Sequence, residues 1–188
     1  MNFDAKVKEA FNELNKKLEK EGVTLTVICV GGFVLSQYGL RTTKDIDGFF
    51  KSTAEIDKAI KTVGDKLGLN TEDELWLNNS VQNLNRSPAE DICDVLYDFS
   101  NLKVLMPPLE YIAGMKLKSA RGQDIKDVAD IIKLLKADDP LSFIENLQTL
   151  GFFEIDISLV LEAFGTAYGM SWLEKYYIDN EKAILEMV

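Results

Sequence analysis

The sequence predicts an α/β (α+β) protein: a small mixed β-sheet core with helices, followed by a helical C-terminal extension. Three observations predict it. Short apolar runs at 25–30, 46–50, 92–99 and 102–106 have the length of strands, with glycine or proline punctuating the chain around them. Helical stripes lie between the earlier runs, and from Leu109 onward the pattern is helical almost throughout. Hydrophobic residues make up 46% of the 188, enough for a proper core, yet no apolar run is long enough to cross a bilayer.

Residues 4–20 place Ala5, Val7, Ala10, Phe11, Leu14 and Leu18 on one helical stripe, with charged residues on the solvated side. Glu21-Gly22 stops that helix. The run 25–30 is a buried strand ending in Gly31-Gly32, and a helix packed behind the glycines runs from 33 to 38 until Gly39. A polar turn, Arg41-Thr42-Thr43-Lys44, leads into Asp45-Ile46-Asp47, which opens a second strand. Ser52 to Glu55 has capping-box spacing for a helix over about 54–67, closed by Gly68. In Trp76-Leu77-Asn78-Asn79 the tryptophan reads as a core anchor and the asparagines as the end of a turn.

Residues 80–90 are polar and read as a loop. The runs 92–99 and 102–106 read as the remaining strands, although 92–99 also fits an amphipathic helix that exposes Asp94 and Asp98. Read as a strand, it puts those two aspartates on one face. Pro107-Pro108 is a boundary. Helices follow over 109–120 and, capped by Asp124, through Leu135 with a stripe of Ile125, Val128, Ile131, Ile132 and Leu135. The tail holds further helices over about 141–149, 156–168 and 170–185. Its aromatic residues Phe152, Phe153, Phe164, Trp172, Tyr176 and Tyr177 read as core, with nucleobase stacking the functional alternative. The expected division is a domain over 1–137 and a helical extension over 138–188.

Charge and composition restrict the chemistry. The net charge of -10 argues against broad, sequence-blind DNA binding, which needs a basic face, while leaving room for a local basic pocket. The chain has no histidine, so it lacks the commonest general base and a zinc site is not expected. Cys29 and Cys93 sit in apolar runs and read as small buried hydrophobes. The N-terminus alternates like a helix and reads as no signal peptide, which makes the cytoplasm the default location and a membrane partner unexpected. Chemistry must therefore rest on carboxylates, lysine or metal-bound water. Alternate strand residues share a face, so Asp45 and Asp47 would both point to the mouth of the glycine turn. Such a pair suits a hard cation, and bare glycine N–H groups suit phosphate.

Gly31-Gly32, twelve intervening residues and then Asp45-Ile46-Asp47 resemble the nucleotidyltransferase superfamily with the DNA polymerase β-type fold. Within it, the chain is similar to a small bacterial Gly-Gly branch related to the nucleotidyltransferase toxins of abortive-infection systems. The Trp76-Leu77-Asn78-Asn79 run and the block from Tyr111 to Leu135 are further points of resemblance, which spans about residues 24–136. The resemblance implies metal-dependent transfer of a nucleoside monophosphate from a triphosphate to a hydroxyl on a protein, a tRNA or a small molecule. It implies Mg²⁺ or Mn²⁺ held by Asp45 and Asp47, with Asp94 the candidate third carboxylate, and Gly31 and Gly32 around the β- and γ-phosphates. Arg41, Thr43 and Lys44 approach the same site; Arg41 either binds phosphate or pairs with a site carboxylate. Lys116 would meet the triphosphate, Arg121 the phosphates or the acceptor, and Asp127 would complete the pocket. The bland reading of this last group is a surface pair between Arg121 and Asp124. A toxin–antitoxin or phage-defence setting is a further implication. The alternatives are a catalytically degenerate scaffold used for binding or regulation, and a homo-oligomer formed through the aromatic tail.

Overall fold

A computed structural model describes residues 3–72, 74–83 and 86–186. The chain divides into two compact units, residues 1–108 and 109–188. The first holds α1 (Phe3–Glu21), β1 (Leu25–Val30), α2 (Gly31–Gln37), β2 (Ile46–Phe49), α3 (Ala54–Leu67), β3 (Leu77–Asn78), β4 (Asp94–Asp98) and β5 (Leu102–Met106). One five-stranded sheet carries the order β3-β2-β1-β5-β4. It is mixed: β1 runs antiparallel to β2 and parallel to β5, β2 is parallel to β3, and β4 is antiparallel to β5. The α+β expectation with a small mixed sheet is therefore met.

The apolar run of β1 follows from its central place, with strands on both sides and Val27, Cys29 and Val30 fully buried. Pairing sets the two faces. Ile28 lies opposite Phe49 and Val30 opposite Asp47, so these four share one face. Val27, Cys29 and Val104 occupy the other, under α1. There Phe11, fully buried on α1, meets Trp76, Tyr97 and Phe33 with ring centroids 5.2, 5.7 and 6.5 Å apart. Trp76 is thus the expected core anchor, and its indole N–H donates to the Ile60 carbonyl at 3.0 Å. Of the α1 stripe, the Ala5 side chain lies outside the described residues, while Val7, Ala10, Phe11, Leu14 and Leu18 are all buried. Thr53 caps α3 through its hydroxyl, and Gly68 ends that helix at φ +62°.

Two local readings change. Asn78 belongs to a strand rather than to the end of a turn, because β3 is only two residues long, below any alternation pattern. The loop at 80–90 contains single 3₁₀ turns at Ser80–Asn83 and Glu90–Ile92. The strand reading of 92–99 holds against the helical one. A β-bulge interrupts it between Val95 and Tyr97, however, so Asp94 pairs with Met106 and Asp98 with Lys103. The extra residue reverses the alternation and puts the two aspartates on opposite faces, where period two had placed them together.

The second unit is helical: α4 (Leu109–Ser119), α5 (Gly122–Leu135), α6 (Pro140–Thr149), α7 (Ile157–Tyr168) and α8 (Met170–Leu185). The stripe Ile125, Val128, Ile131 and Ile132 is buried on α5, together with Val160, Ala163 and Phe164 on α7. A side chain at Gly114 would overlap the Phe152 ring, whose Cδ2 lies 2.5 Å from the Cβ position, so α4 needs glycine there. Phe152 also meets Tyr111 edge-on at 5.0 Å. Phe164, Trp172 and Tyr176 form a stacked ladder, and Tyr176 donates its hydroxyl to Asp139 at 2.5 Å. Phe153 departs from the core reading at 75% exposure, and Tyr177 is also exposed, because each sits on the outward side of its segment.

Candidate functional site: a glycine corner with two aspartates

The corner starts where β1 ends. Gly31 takes φ +65°, a conformation that costs an L-residue roughly 1–2 kcal/mol, and this turns the strand directly into α2. Gly31 and Gly32 are the first two residues of that helix rather than a separate loop before it. The neighbouring β2 runs antiparallel, with Asp47 in register with Val30. Its carboxylate therefore rises beside the turn. A Cβ on Gly31 would sit 3.3 Å from Asp47 Oδ2, tighter than ordinary van der Waals contact. At Gly32 the same construction meets Thr43 Oγ1 at 3.3 Å and Arg41 Cδ at 3.9 Å. Side chains of β2 and of the polar turn thus lie close over both glycines, and at Gly31 the positive φ favours glycine as well.

Asp45 is tied into this group by Thr43. The threonine hydroxyl lies 2.9 Å from Asp45 Oδ1 and 3.1 Å from the Asp45 carbonyl, donating to this pair of acceptors. Asp45 and Asp47 are both half-buried. A cavity of about 570 Å³ opens beside Thr43, Lys44 and Asp45, walled across by Thr71, Glu74 and Leu75. A larger one, about 910 Å³, lies against Thr26, Ile28, Phe49 and Phe50 and includes no predicted site residue. The smaller cavity is the one lined by predicted site residues. Gly31, Gly32, Arg41, Thr43, Lys44, Asp45 and Asp47 thus fall in one neighbourhood, assembled by a strand end, a helix start and a turn.

Asp94 does not join them. It lies on β4, three strands from β2 in the sheet order, and its partner Met106 belongs to the face opposite Asp47. Among the described residues no group of three acidic, histidine or cysteine side chains is placed to hold a metal ion. Asn78, passed over in the sequence as a turn residue, is the side chain that stands in register beside Asp47. Neither cysteine is set up as a nucleophile. Cys29 is fully buried, and burial together with Glu90, Asp94 and Asp91 pushes the Cys93 thiol up to about 11.

The other predicted residues lie in the second unit. Lys116 on α4 donates to Asp124 Oδ1 at 2.7 Å and pairs with Asp127 Oδ2 at 2.8 Å, both on α5. The lysine side chain is 13% exposed and the aspartates 8% and 4%. Gln123 adds a hydrogen bond to Asp127 Oδ1 at 2.9 Å. Asp124 also accepts the backbone N–H of Arg121 at 3.3 Å, so it caps α5 from the third helical position. The expected cap role holds, and the surface pair between Arg121 and Asp124 gives way to a buried pair with Lys116. Sequence spacing alone missed this because Lys116 and its partners are on different helices.

No helix among the described residues is long and apolar enough to cross a membrane. No curated protein and no solved structure matches the chain. Residues 5–140 match a family described as "Nucleotidyltransferase of unknown function (DUF6036)". That span covers well over half of the sequence and includes both the glycine corner and the lysine cluster. The chain belongs to this nucleotidyltransferase family.

Proposed function

We propose that the protein transfers a nucleoside monophosphate from a nucleoside triphosphate to a hydroxyl acceptor, with the chemistry centred on the glycine corner. The observation that carries this reading is the contact of Asp47 with Gly31 beside the Thr43–Asp45 pair over Gly32. A carboxylate pair is hard and oxygen-rich, the donor chemistry that Mg²⁺ or Mn²⁺ takes, with water completing the set. When bound, such an ion supplies countercharge for a transferring phosphoryl group and its leaving pyrophosphate. Asp45 and Asp47 would hold it. The Gly31 and Gly32 backbone, with no side chain of its own, would receive the phosphates, and Arg41 would add positive charge. Thr43 keeps Asp45 oriented, and the cavity beside Lys44 offers room for a nucleoside.

Lys116 and Asp127 are proposed as a second part of the machinery on the strength of the resemblance. Lys116, already paired with Asp124 and Asp127, would contribute positive charge toward a phosphate oxygen. Arg121, at the start of α5, is the proposed further phosphate or acceptor contact. The toxin–antitoxin or phage-defence setting and the cytoplasmic location are supported by the resemblance and the composition. The proposed acceptors are a protein, a tRNA or a small molecule.

The second reading is a catalytically degenerate scaffold, favoured because no group of three acidic, histidine or cysteine side chains among the described residues is placed to hold a metal ion. Isothermal titration with nucleoside triphosphates, with and without Mg²⁺, separates the two. An enzyme shows metal-dependent binding that Asp47→Asn removes; a scaffold shows none to remove. Labelled triphosphates incubated with cell extract then identify the acceptor, and sizing tests self-association.

A further inference from the structure

We infer that Asn78 is a phosphate-oxygen donor beside Asp47, and that Ser80 positions it. The inference rests on the nucleotidyltransferase reading of the corner and adds a residue to it. β3 runs parallel to β2 with Asn78 opposite Asp47, so the two side chains leave the same face of neighbouring strands about 4.8 Å apart. β1, whose last residue Val30 leads into the glycines, flanks Asp47 on its other side. A phosphate brought to Asp47 by a divalent ion would therefore be bordered by glycine backbone on one side and by Asn78 on the other.

The orientation of the amide decides what Asn78 does there. The Ser80 backbone N–H donates to Asn78 Oδ1 at 3.2 Å, and the Ser80 hydroxyl donates to the same oxygen. A backbone N–H has no acceptor capacity, so it fixes which end of the amide faces Ser80. The oxygen is used by Ser80, and the NH₂ group is the end left to donate. An amide in that orientation offers two donors and no lone pair. It suits a phosphate oxygen and is a poor ligand for a cation. The corner thus carries two negative side chains where a third carboxylate in the Asn78 position would have made three, and it gains a neutral donor in exchange.

Inorganic tripolyphosphate with Mg²⁺, measured by titration calorimetry, and Mn²⁺ alone, measured by electron paramagnetic resonance, test this without assuming a base or an acceptor. Asn78→Ala should weaken Mg²⁺-tripolyphosphate binding about tenfold, the scale of one hydrogen bond to a charged group, and leave Mn²⁺ binding unchanged. The isosteric Asn78→Asp should tighten Mn²⁺ binding and weaken tripolyphosphate without metal, since it adds a negative charge and removes the donor. Ser80→Ala should give a smaller loss for tripolyphosphate, and Ser80→Thr should restore it. If Asn78→Ala and Asn78→Asp leave tripolyphosphate binding at the wild-type value while Asp47→Asn abolishes Mn²⁺ binding, the role of Asn78 is refuted and the corner stands. If Asp47→Asn has no effect on Mn²⁺, both fall.

Discussion

The glycine corner and the Lys116 cluster are each built on two aspartates, and they differ in how far those aspartates are sealed from water. In the cluster, Asp124 and Asp127 are almost sealed from water, and the countercharge is the chain's own lysine at 2.7 and 2.8 Å. At the corner, Asp45 and Asp47 are half-buried, with a threonine hydroxyl and glycine backbone against them. A buried carboxylate needs its partners in place before it is desolvated, so a cluster that supplies its own cation closes up. A half-buried carboxylate keeps part of its hydration and can exchange that water for an external ion. The contrast is one of burial: the residue types are the same, but one pair is nearly sealed around a lysine and the other is half-buried.

The largest effect expected is at the corner. Asp47→Asn should lower divalent-ion affinity and any transfer activity by more than about 100-fold while leaving the melting temperature close to wild type, because the amide keeps the shape and removes the charge. Mn²⁺ binding and thermal denaturation, measured together, test both halves of that statement. Loss of fold instead of loss of metal would reverse the comparison.

Lys116→Met is the matching experiment on the cluster. It leaves two carboxylates buried without their cation and should destabilise the protein by about 3–5 kcal/mol in urea. Adding Asp124→Asn and Asp127→Asn should return part of that loss, since the charges that needed the lysine are gone. A stability change below about 1 kcal/mol for Lys116→Met would mean that the cluster is hydrated in solution.

A smaller effect separates backbone strain from close approach. Gly31→Ala and Gly68→Ala both force an L-residue to φ near +60°, at roughly 1–2 kcal/mol each. Only at Gly31 does the new methyl meet a site atom, Asp47 Oδ2, whereas nothing lies within 4 Å at Gly68. The two variants should lose similar stability, and only Gly31→Ala should also lose metal affinity.

The smallest concerns an exposed ion pair as reference. Glu13 on α1 bonds Lys16 at 2.7 Å and Lys66 of α3 at 2.5 Å, and these two ammonium groups hold its carboxyl down to about 2 from an ordinary 4.5. With the folded pKa depressed, its contribution is present above pH 4.5 and fades as the pH falls toward 2. Lys66→Ala should move the carboxyl titration, followed by NMR, up toward 4.5 with little change in stability at neutral pH.

Much of this was legible in the sequence. The strand ending in Gly31-Gly32, the Asp45-Ile46-Asp47 strand and the helices of the second unit are local patterns of period two or 3.6, and each was found close to its predicted bounds. Asp94 shows where such reasoning stops. A carboxylate on a strand looks like a ligand until strand order and face are known, and here the order β3-β2-β1-β5-β4 and a bulge take it to the far edge and the opposite face. Asn78 fails in the other direction, because two strand residues carry no periodic signal and their place beside Asp47 comes only from pairing with β2.

By itself the sequence determined which side chains were available: glycines at a strand end, two alternating aspartates, a lysine and two aspartates on adjacent helices, and no histidine. These follow from composition and short-range spacing, which fix φ/ψ preference and facing along one element. The tertiary structure alone decided which of them meet. Register placed Asp47 on Gly31 and Asn78 beside Asp47, and helix packing closed Lys116 onto Asp124 and Asp127. Contacts between elements depend on strand order and packing across many residues, and no local window of sequence contains them.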